Sequence, residues 1–387
     1  MLFRAWRIAV CLLIGVVAPC AMASTAGSVV DSESSRMETV GSTQDSRGDY
    51  SVVPHVVEEI TLEAGRFHVV GDLILPAEGE RHPVVVFVWG SGPAGRQDVP
   101  RPSRLLTMLL KSGFGVFLED KPGTGDSTGE FMPRQLLRER AEIFAAEIAH
   151  VRSLRGLESS AIGVYGSSQA SYVVGLALDG GVKIDFLVAV SFPTTDSVEQ
   201  SAYLVEQQLL CEGYGENEAA AARTYFIQRE RACTYPAYLE AAECLDANPL
   251  VRDELEWGGV VAESDFTPPD AGSEDFYDPS GAFRHLHVPV LALFAEHDTQ
   301  IDAEQGARVF SEAIHSSDVM LSSVVVVPEA DHNMQVSETG CLKEQRLRYS
   351  QAGASKSSPR FLEDLEDWLL RLSVHLRQQG PEATPSN

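Results

Sequence analysis

Basic residues are scarce in this chain: 30 Lys and Arg stand against 56 Asp and Glu in 387 residues, a formal charge of −26. Proteins that hold a phosphate backbone cluster Lys and Arg into a stripe, and none is visible, so no nucleic-acid partner is expected. Long apolar runs are missing as well. None reaches the ~18 residues of a membrane-spanning helix, so no transmembrane span is expected. The few histidines and cysteines never fall at metal-ligand spacing, which leaves no expected metal and no sign of an organic cofactor. Internal repeats are absent. What remains, with 44% apolar residues, is enough to bury a large core and suits an α/β body with an insertion.

The N-terminus reads as an export signal. Arg4 and Arg7 supply the basic region, residues 8–17 the apolar one, and Ala21-Met22-Ala23 the small-residue cleavage site. Residues 1–23 are therefore expected to be removed and the product to be secreted or periplasmic. Pro19, just before Cys20, speaks against a lipid anchor. Of six cysteines, Cys11 and Cys20 leave with the signal; Cys211, Cys233, Cys244 and Cys341 remain, an even number for an oxidising compartment. Residues 24–54, rich in Ser, Thr, Gly and acids, are expected to be a disordered leader, and 379–387 a short tail.

Strand and helix patterns then alternate. Residues 56–62 and 67–75 alternate in polarity like an edge hairpin, whereas 83–89 and 114–118 are continuous apolar runs of the kind buried on both faces. Helical patterns cover 104–112, 133–154 and the stretch after 170, with a further strand at 184–190. This predicts a doubly wound, mostly parallel sheet. The alternation stops near 193. Residues 195–282 carry 19 acids against four Arg and no Lys, with helices expected at 197–210, 216–231 and 235–245. It resumes with strand 288–295, helix 303–314, strand 323–327 and helix 360–376. An insertion between strands of such a sheet stands over their carboxyl ends, where these sheets bind ligands, so 195–282 is expected to be a helical cap on a core of 55–194 and 283–378. Apolar cap residues such as Leu204 and Phe226 are expected to set the size of what is bound.

One short stretch organises the rest. Gly166-Ser167-Ser168-Gln169-Ala170 joins an apolar strand to an apolar helix and fits the nucleophile elbow G-x-S-x-G with Ala at its last position. The turn demands small residues two places on either side of the nucleophile. Ser168 meets that demand, and Ser167 does not, since Tyr165 precedes it. A serine hydroxyl needs a base and the base an orienting acid. Asp298 follows one buried strand and His332 another, in the order Ser, Asp, His, all on the rim of Ser168. Glu296, Asp302 and Asp196 are the competing acids, Asp331 is awkwardly close to His332 in sequence, and His297 is the second choice of base. Donors for a developing oxyanion are expected from the backbone N–H of Gln169 and of Ser91, the latter in the glycine-rich loop after Trp89.

From about 56 to 376 the chain resembles the α/β-hydrolase superfamily, in particular bacterial serine hydrolases related to prolyl oligopeptidase and dienelactone hydrolase. The resemblance rests on the motifs at 90–93, 120–129, 166–170, 296–300 and 331–333, in the family's order. Trp89 stands where many members have His, and Ala170 where Gly is usual. The resemblance implies Ser168 as nucleophile, His332 as base and Asp298 as its orienter. It does not fix the substrate, since this fold hosts esterases, thioesterases, peptidases and lactonases. The first expectation is cleavage of a small-molecule carboxylic ester through an acyl-enzyme, with peptidase, aminopeptidase, thioesterase or acyl-transferase activity, or binding without catalysis, as the alternatives.

The cysteines give one further expectation. A helix over 216–231 spans ~24 Å, and an antiparallel one from Tyr235 returns roughly 13 Å by Cys244. Cys211–Cys244 is then the best of the cap pairings, with Cys233–Cys341 left as a second bridge and four buried free thiols as the alternative.

Overall fold

The apolar runs of the sequence form the middle of one eight-stranded sheet. The computed structural model describes residues 53–79, 82–99, 103–131, 136–157, 160–255, 258–270, 272–317, 321–351 and 356–378. The expected signal and tail, and all but the last two residues of the leader, lie outside the described residues. The strands are β1 (His55–Ala64), β2 (Phe67–Pro76), β3 (Val84–Val88), β4 (Gly115–Glu119), β5 (Ile162–Ser167), β6 (Leu187–Val190), β7 (Val290–Ala295) and β8 (Ser323–Val327). Their order across the sheet is β1-β2-β4-β3-β5-β6-β7-β8. β1 and β2 form the expected hairpin, β2 pairs antiparallel with β4, and the other pairs are parallel. Every residue of β3, β4, β6 and β7 is buried, which is why these segments read as unbroken apolar runs.

Helices cover both faces. On one, α2 (Leu137–Ser153), α3 (Ala170–Asp179) and α8 (Ala303–Ser317) bury Phe144, Ile148, Val173, Val174 and Phe310. On the other, α1 (Arg104–Lys111) and α10 (Pro359–Gln378) bury Leu106, Leu109, Leu365, Trp368 and Leu372. The chain leaves β3 outward to β4, then crosses back over β3 to β5. That reversal opens a crevice beyond the carboxyl ends of β3 and β5, the position where open α/β sheets bind ligands.

Between β6 and β7 the insertion forms α4 (Ser197–Cys211), α5 (Glu216–Glu230) and α6 (Tyr235–Asp246), within a residue or two of the expected bounds. The short α7 (Ser280–Arg284) straddles the expected boundary at 282 but buries Phe283 in the core of the sheet. α4 and α5 have an apolar cluster of their own, including Val198, Leu204, Leu209, Phe226 and Val251. Leu204 and Phe226 are 1% and 0% exposed inside it, so truncating either opens a hole in the cap instead of resizing a substrate pocket. The expected role of these two residues is corrected accordingly. One helix was not foreseen: α9 (Leu342–Ser350) has no apolar stripe and buries Gln345 and Arg348 beside Leu342.

The disulfide also differs from expectation. Cys211, at the end of α4, is bonded to Cys341, just before α9, with Cα atoms 5.8 Å apart. Cys233 and Cys244 are free and exposed. α6 does return along α5, but its Cys244 sits against Tyr225 of α5, whereas α4 packs on α5 separately. Rise along a helix says how far its end travels, not which face a cysteine occupies. The bridge closes 130 residues and ties the cap to the loop that carries His332. Cys211→Ser and Cys341→Ser are each expected to lose ~2–5 kcal/mol in denaturant unfolding, and reductant should do the same to the native chain. Cys233→Ser should leave the midpoint unchanged; a comparable loss there would contradict the assignment.

Candidate active site

Ser168 lies between the end of β5 and the start of α3 with φ +53°, a left-handed backbone that non-glycine residues rarely adopt. Two hydrogen bonds hold it there. Its N–H donates to Val190 O at 3.0 Å, and its C=O accepts from Ser171 N–H at 3.0 Å. The steric demand read from the sequence is visible: a Cβ on Gly166 would stand 3.1 Å from Ala170 Cβ and 2.8 Å from the Phe192 ring. Glycine and alanine fit here because strand and helix converge at this point.

Asp298 and His332 come from the loops after β7 and β8. His332 Nδ1 is 2.8 Å from Asp298 Oδ2, and His332 Nε2 is 2.9 Å from Ser168 Oγ. Asp298 Oδ1 accepts from the N–H of Gln300 at 2.8 Å and of Ile301 at 3.0 Å, so the carboxylate is fixed from both sides. With its Nδ1 proton on Asp298, a neutral imidazole presents the Nε2 lone pair to the serine hydroxyl. Burial alone would lower the His332 pKa. The charge of Asp298, its hydrogen bond and the charge of Asp331 outweigh that and raise it, favouring the imidazolium.

The other candidates serve elsewhere. Asp302 and Asp196 accept from the N–H of Gln305 and Glu199 and cap α8 and α4, and Asp196 also pairs with Arg231 at 2.7 Å. Glu296 accepts from Glu329 N–H, and the His297 ring binds Ser337 O. Asp331 is fully buried, and its carboxylate is taken up by other partners. It accepts from Asn333 N–H, Gln335 N–H and, at 2.6 Å, from Arg348 of α9. Arg348 thus braces the turn that presents His332. Ser191, the residue after β6, donates its hydroxyl to His332 O at 2.9 Å. Sequence reasoning missed both. Ser191 shares the strand-end position of the other three and was discoverable on that ground; nothing in the pattern around Arg348 marks it.

The cap reaches the site through α4. Tyr203 donates to Asp298 O at 3.3 Å, Gln200 to Gln300 O at 2.8 Å and Gln208 to Thr299 Oγ1 at 3.0 Å. A cavity of about 350 Å³ opens between this helix, residues 193–195 and α8, with Ile301 and Asp302 in its wall. On the other side of Ser168, the loop after β3 passes against the elbow. A Cβ on Gly90 would lie 3.1 Å from Ser167 O and 3.3 Å from Ser168 Cβ, so a side chain here would push loop and elbow apart by a few tenths of an ångström. Gln169 follows Ser168 directly, and Ser91 follows Gly90 in the loop that passes the elbow. Among the described residues no group of His, Cys, Asp and Glu could hold a metal ion, and no helix is long and apolar enough to cross a membrane.

A mostly parallel eight-stranded sheet, covered by helices on both faces and carrying a serine at a strained strand-to-helix turn, is an α/β-hydrolase fold. No family model matches the sequence, and no curated protein matches it either. Similar solved structures include the esterase Pf2001 of Pyrococcus furiosus, at 13% identity and TM-score 0.48, covering 88% of this chain and 95% of that one. Est1E of Butyrivibrio proteoclasticus, solved with ferulic acid, is 13% identical at TM-score 0.47 over 83% of this chain and 100% of its own. A proline iminopeptidase of Mycobacterium smegmatis is 15% identical at TM-score 0.43, over 83% and 98%. Likeness this distant leaves the activity to be argued from the residues.

Proposed function

We propose that this chain is an exported serine hydrolase that cleaves carboxylic esters through an acyl-enzyme. The observation that carries the reading is the unbroken chain from Ser168 Oγ through the His332 ring to Asp298, with Ser168 on a strained turn. His332 takes the hydroxyl proton as Ser168 Oγ attacks the ester carbonyl. The N–H groups of Ser91 and Gln169 receive the oxyanion. Collapse expels the alcohol, protonated by His332, and a water deprotonated at the same nitrogen then releases the acid.

The test is fluorophosphonate labelling followed by a panel of aryl and alkyl esters, thioesters and aminoacyl amides. The expected result is one phosphonylated residue, Ser168, and turnover that is fastest on esters. Faster amide turnover would move the assignment to a peptidase, and absence of labelling and turnover would leave a binding protein. For export, the basic and apolar regions before Ala23 and the Cys211–Cys341 bridge support an oxidising compartment. Mass spectrometry of the mature protein should find Ser24 at its N-terminus; an intact Met1 in the exported fraction would count against cleavage there.

A further inference from the structure

Beneath the loop after β3 lie two buried cations that the mechanism above does not use. Lys121, which follows β4, is 2% exposed, and Arg140, on α2, is 5% exposed. Lys121 Nζ donates to Gly90 O at 2.9 Å and also to Gly92 O. Arg140 donates through Nη2 to Trp89 O and through Nη1, at 3.0 Å, to the side-chain oxygen of Gln169. Three carbonyls of one short loop are thus turned toward two cations, and one of these also grips the residue after the nucleophile.

We infer that Lys121 and Arg140 are positioning residues that aim the oxyanion donors Ser91 N–H and Gln169 N–H at the reacting carbonyl. The inference rests on the reading of Ser168 as nucleophile. Its basis is the geometry of a trans peptide, whose C=O and N–H point in opposite directions. The plane between Gly90 and Ser91 has its oxygen held by Lys121, so the Ser91 N–H points away from the lysine. Gly90 itself lies against Ser168, so the peptide that carries this N–H begins at the point where the loop meets the elbow. Gly92, at φ +89°, lets the chain turn so that a second carbonyl meets the same amine. Arg140 joins the two halves of the oxyanion site, since one guanidinium spans the loop after β3 and the elbow.

Charge balance fits a positioning role. Desolvation lowers the Lys121 pKa, the charge of Arg140 adds to this, and Glu119 opposes it. Burial likewise lowers that of Arg140. Either protonation state of the amine has N–H donors for both glycine carbonyls, so the grip survives the shift. Nearby Glu147 is pushed up by burial and by Glu119, which favours a protonated carboxyl there. Burying a lysine and an arginine side by side costs stability that apolar side chains of similar volume would not cost. What apolar side chains could not do is hold Trp89, Gly90 and Gly92 by their oxygens.

The experiment compares Lys121→Met and Arg140→Lys with the native enzyme on a p-nitrophenyl ester, with kcat expressed per fluorophosphonate-titrated site. A boronic acid serves as the tetrahedral analogue. Loss of a single oxyanion donor costs ~100–1000-fold, so misaiming one should lower kcat by ~10–100-fold while KM stays within ~2-fold. The inhibition constant of the boronate should rise in parallel with the loss in kcat/KM. Arg140→Lys keeps a cation but cannot span Trp89 O and Gln169 together, so it carries the test if Lys121→Met fails to fold. A lower titrated fraction with unchanged kcat per site, or an unchanged boronate constant, would overturn the inference while leaving Ser168 as nucleophile. A native enzyme that neither labels nor turns over esters would sink the serine-hydrolase reading itself.

Discussion

Ser168→Ala is expected to abolish fluorophosphonate labelling and to lower kcat by roughly 10⁴–10⁶-fold, with the melting temperature close to that of the native chain. The fold should tolerate it because the backbone at 168 is held by Val190 O and Ser171 N–H, neither of which involves the hydroxyl. His332→Ala should lose a similar factor, and the double variant should be little worse than either single one. The serine is a nucleophile only while the imidazole accepts its proton, so removing the second member of the pair finds nothing left to lose. Residual activity, where measurable, would come from the oxyanion donors and binding alone. Additive losses in the double variant would mean that the two side chains act separately, and the 2.9 Å contact between them would then have no catalytic meaning.

The sheet was legible because burial on both faces leaves continuous apolar runs. β3, β4, β6 and β7 carry no solvent-facing side chain to interrupt them, and their positions followed from that alone. Ser168, picked out by sterics, and Asp298 and His332, picked out by chain order and strand-end position, are brought within hydrogen-bond distance. The parts that escaped are polar groups whose partners are remote in sequence. Arg348 meets Asp331 from a helix without an apolar stripe, and Arg140 meets Trp89 O from a helix that otherwise reads as an ordinary amphipathic one. The disulfide escaped for a related reason. A pairing depends on which face of a helix a cysteine occupies, and Cys341 lies on a loop whose path is fixed by the unforeseen α9. The helices expected between 195 and 282 do lie between β6 and β7; hydrogen bonds from α4 brace the loop of Asp298, and the bridge ties α4 to the loop after His332.

Asp298→Asn is expected to lower kcat about 10³–10⁴-fold, the scale seen when an orienting acid loses its charge but not its shape. The structure gives the reason in terms of tautomers. The oxygen at the Oδ1 position accepts from Gln300 N–H and Ile301 N–H, so asparagine must keep its carbonyl there. Its amide NH2 then faces His332 Nδ1 and donates to it. The ring proton moves to Nε2, which can no longer accept from Ser168. The pH profile separates this from a simple packing defect. In the native chain the His332 pKa is raised, because Asp298 and Asp331 outweigh the lowering effect of burial. The acid limb of kcat/KM should therefore fall above the ordinary histidine value of ~6.5, since the base must be neutral to work. In the variant the Asp298 charge and hydrogen bond are gone while burial remains, so the residual activity should show that limb at lower pH. Stability moves the opposite way. A pKa raised on folding contributes stability that is fully present below the unfolded value of ~6.5 and is lost as pH rises through the folded value. The melting-temperature gap between native and variant should accordingly be wider at pH 6 than at pH 9. A variant with kcat within ~10-fold of native and an unmoved acid limb would remove Asp298 from the mechanism.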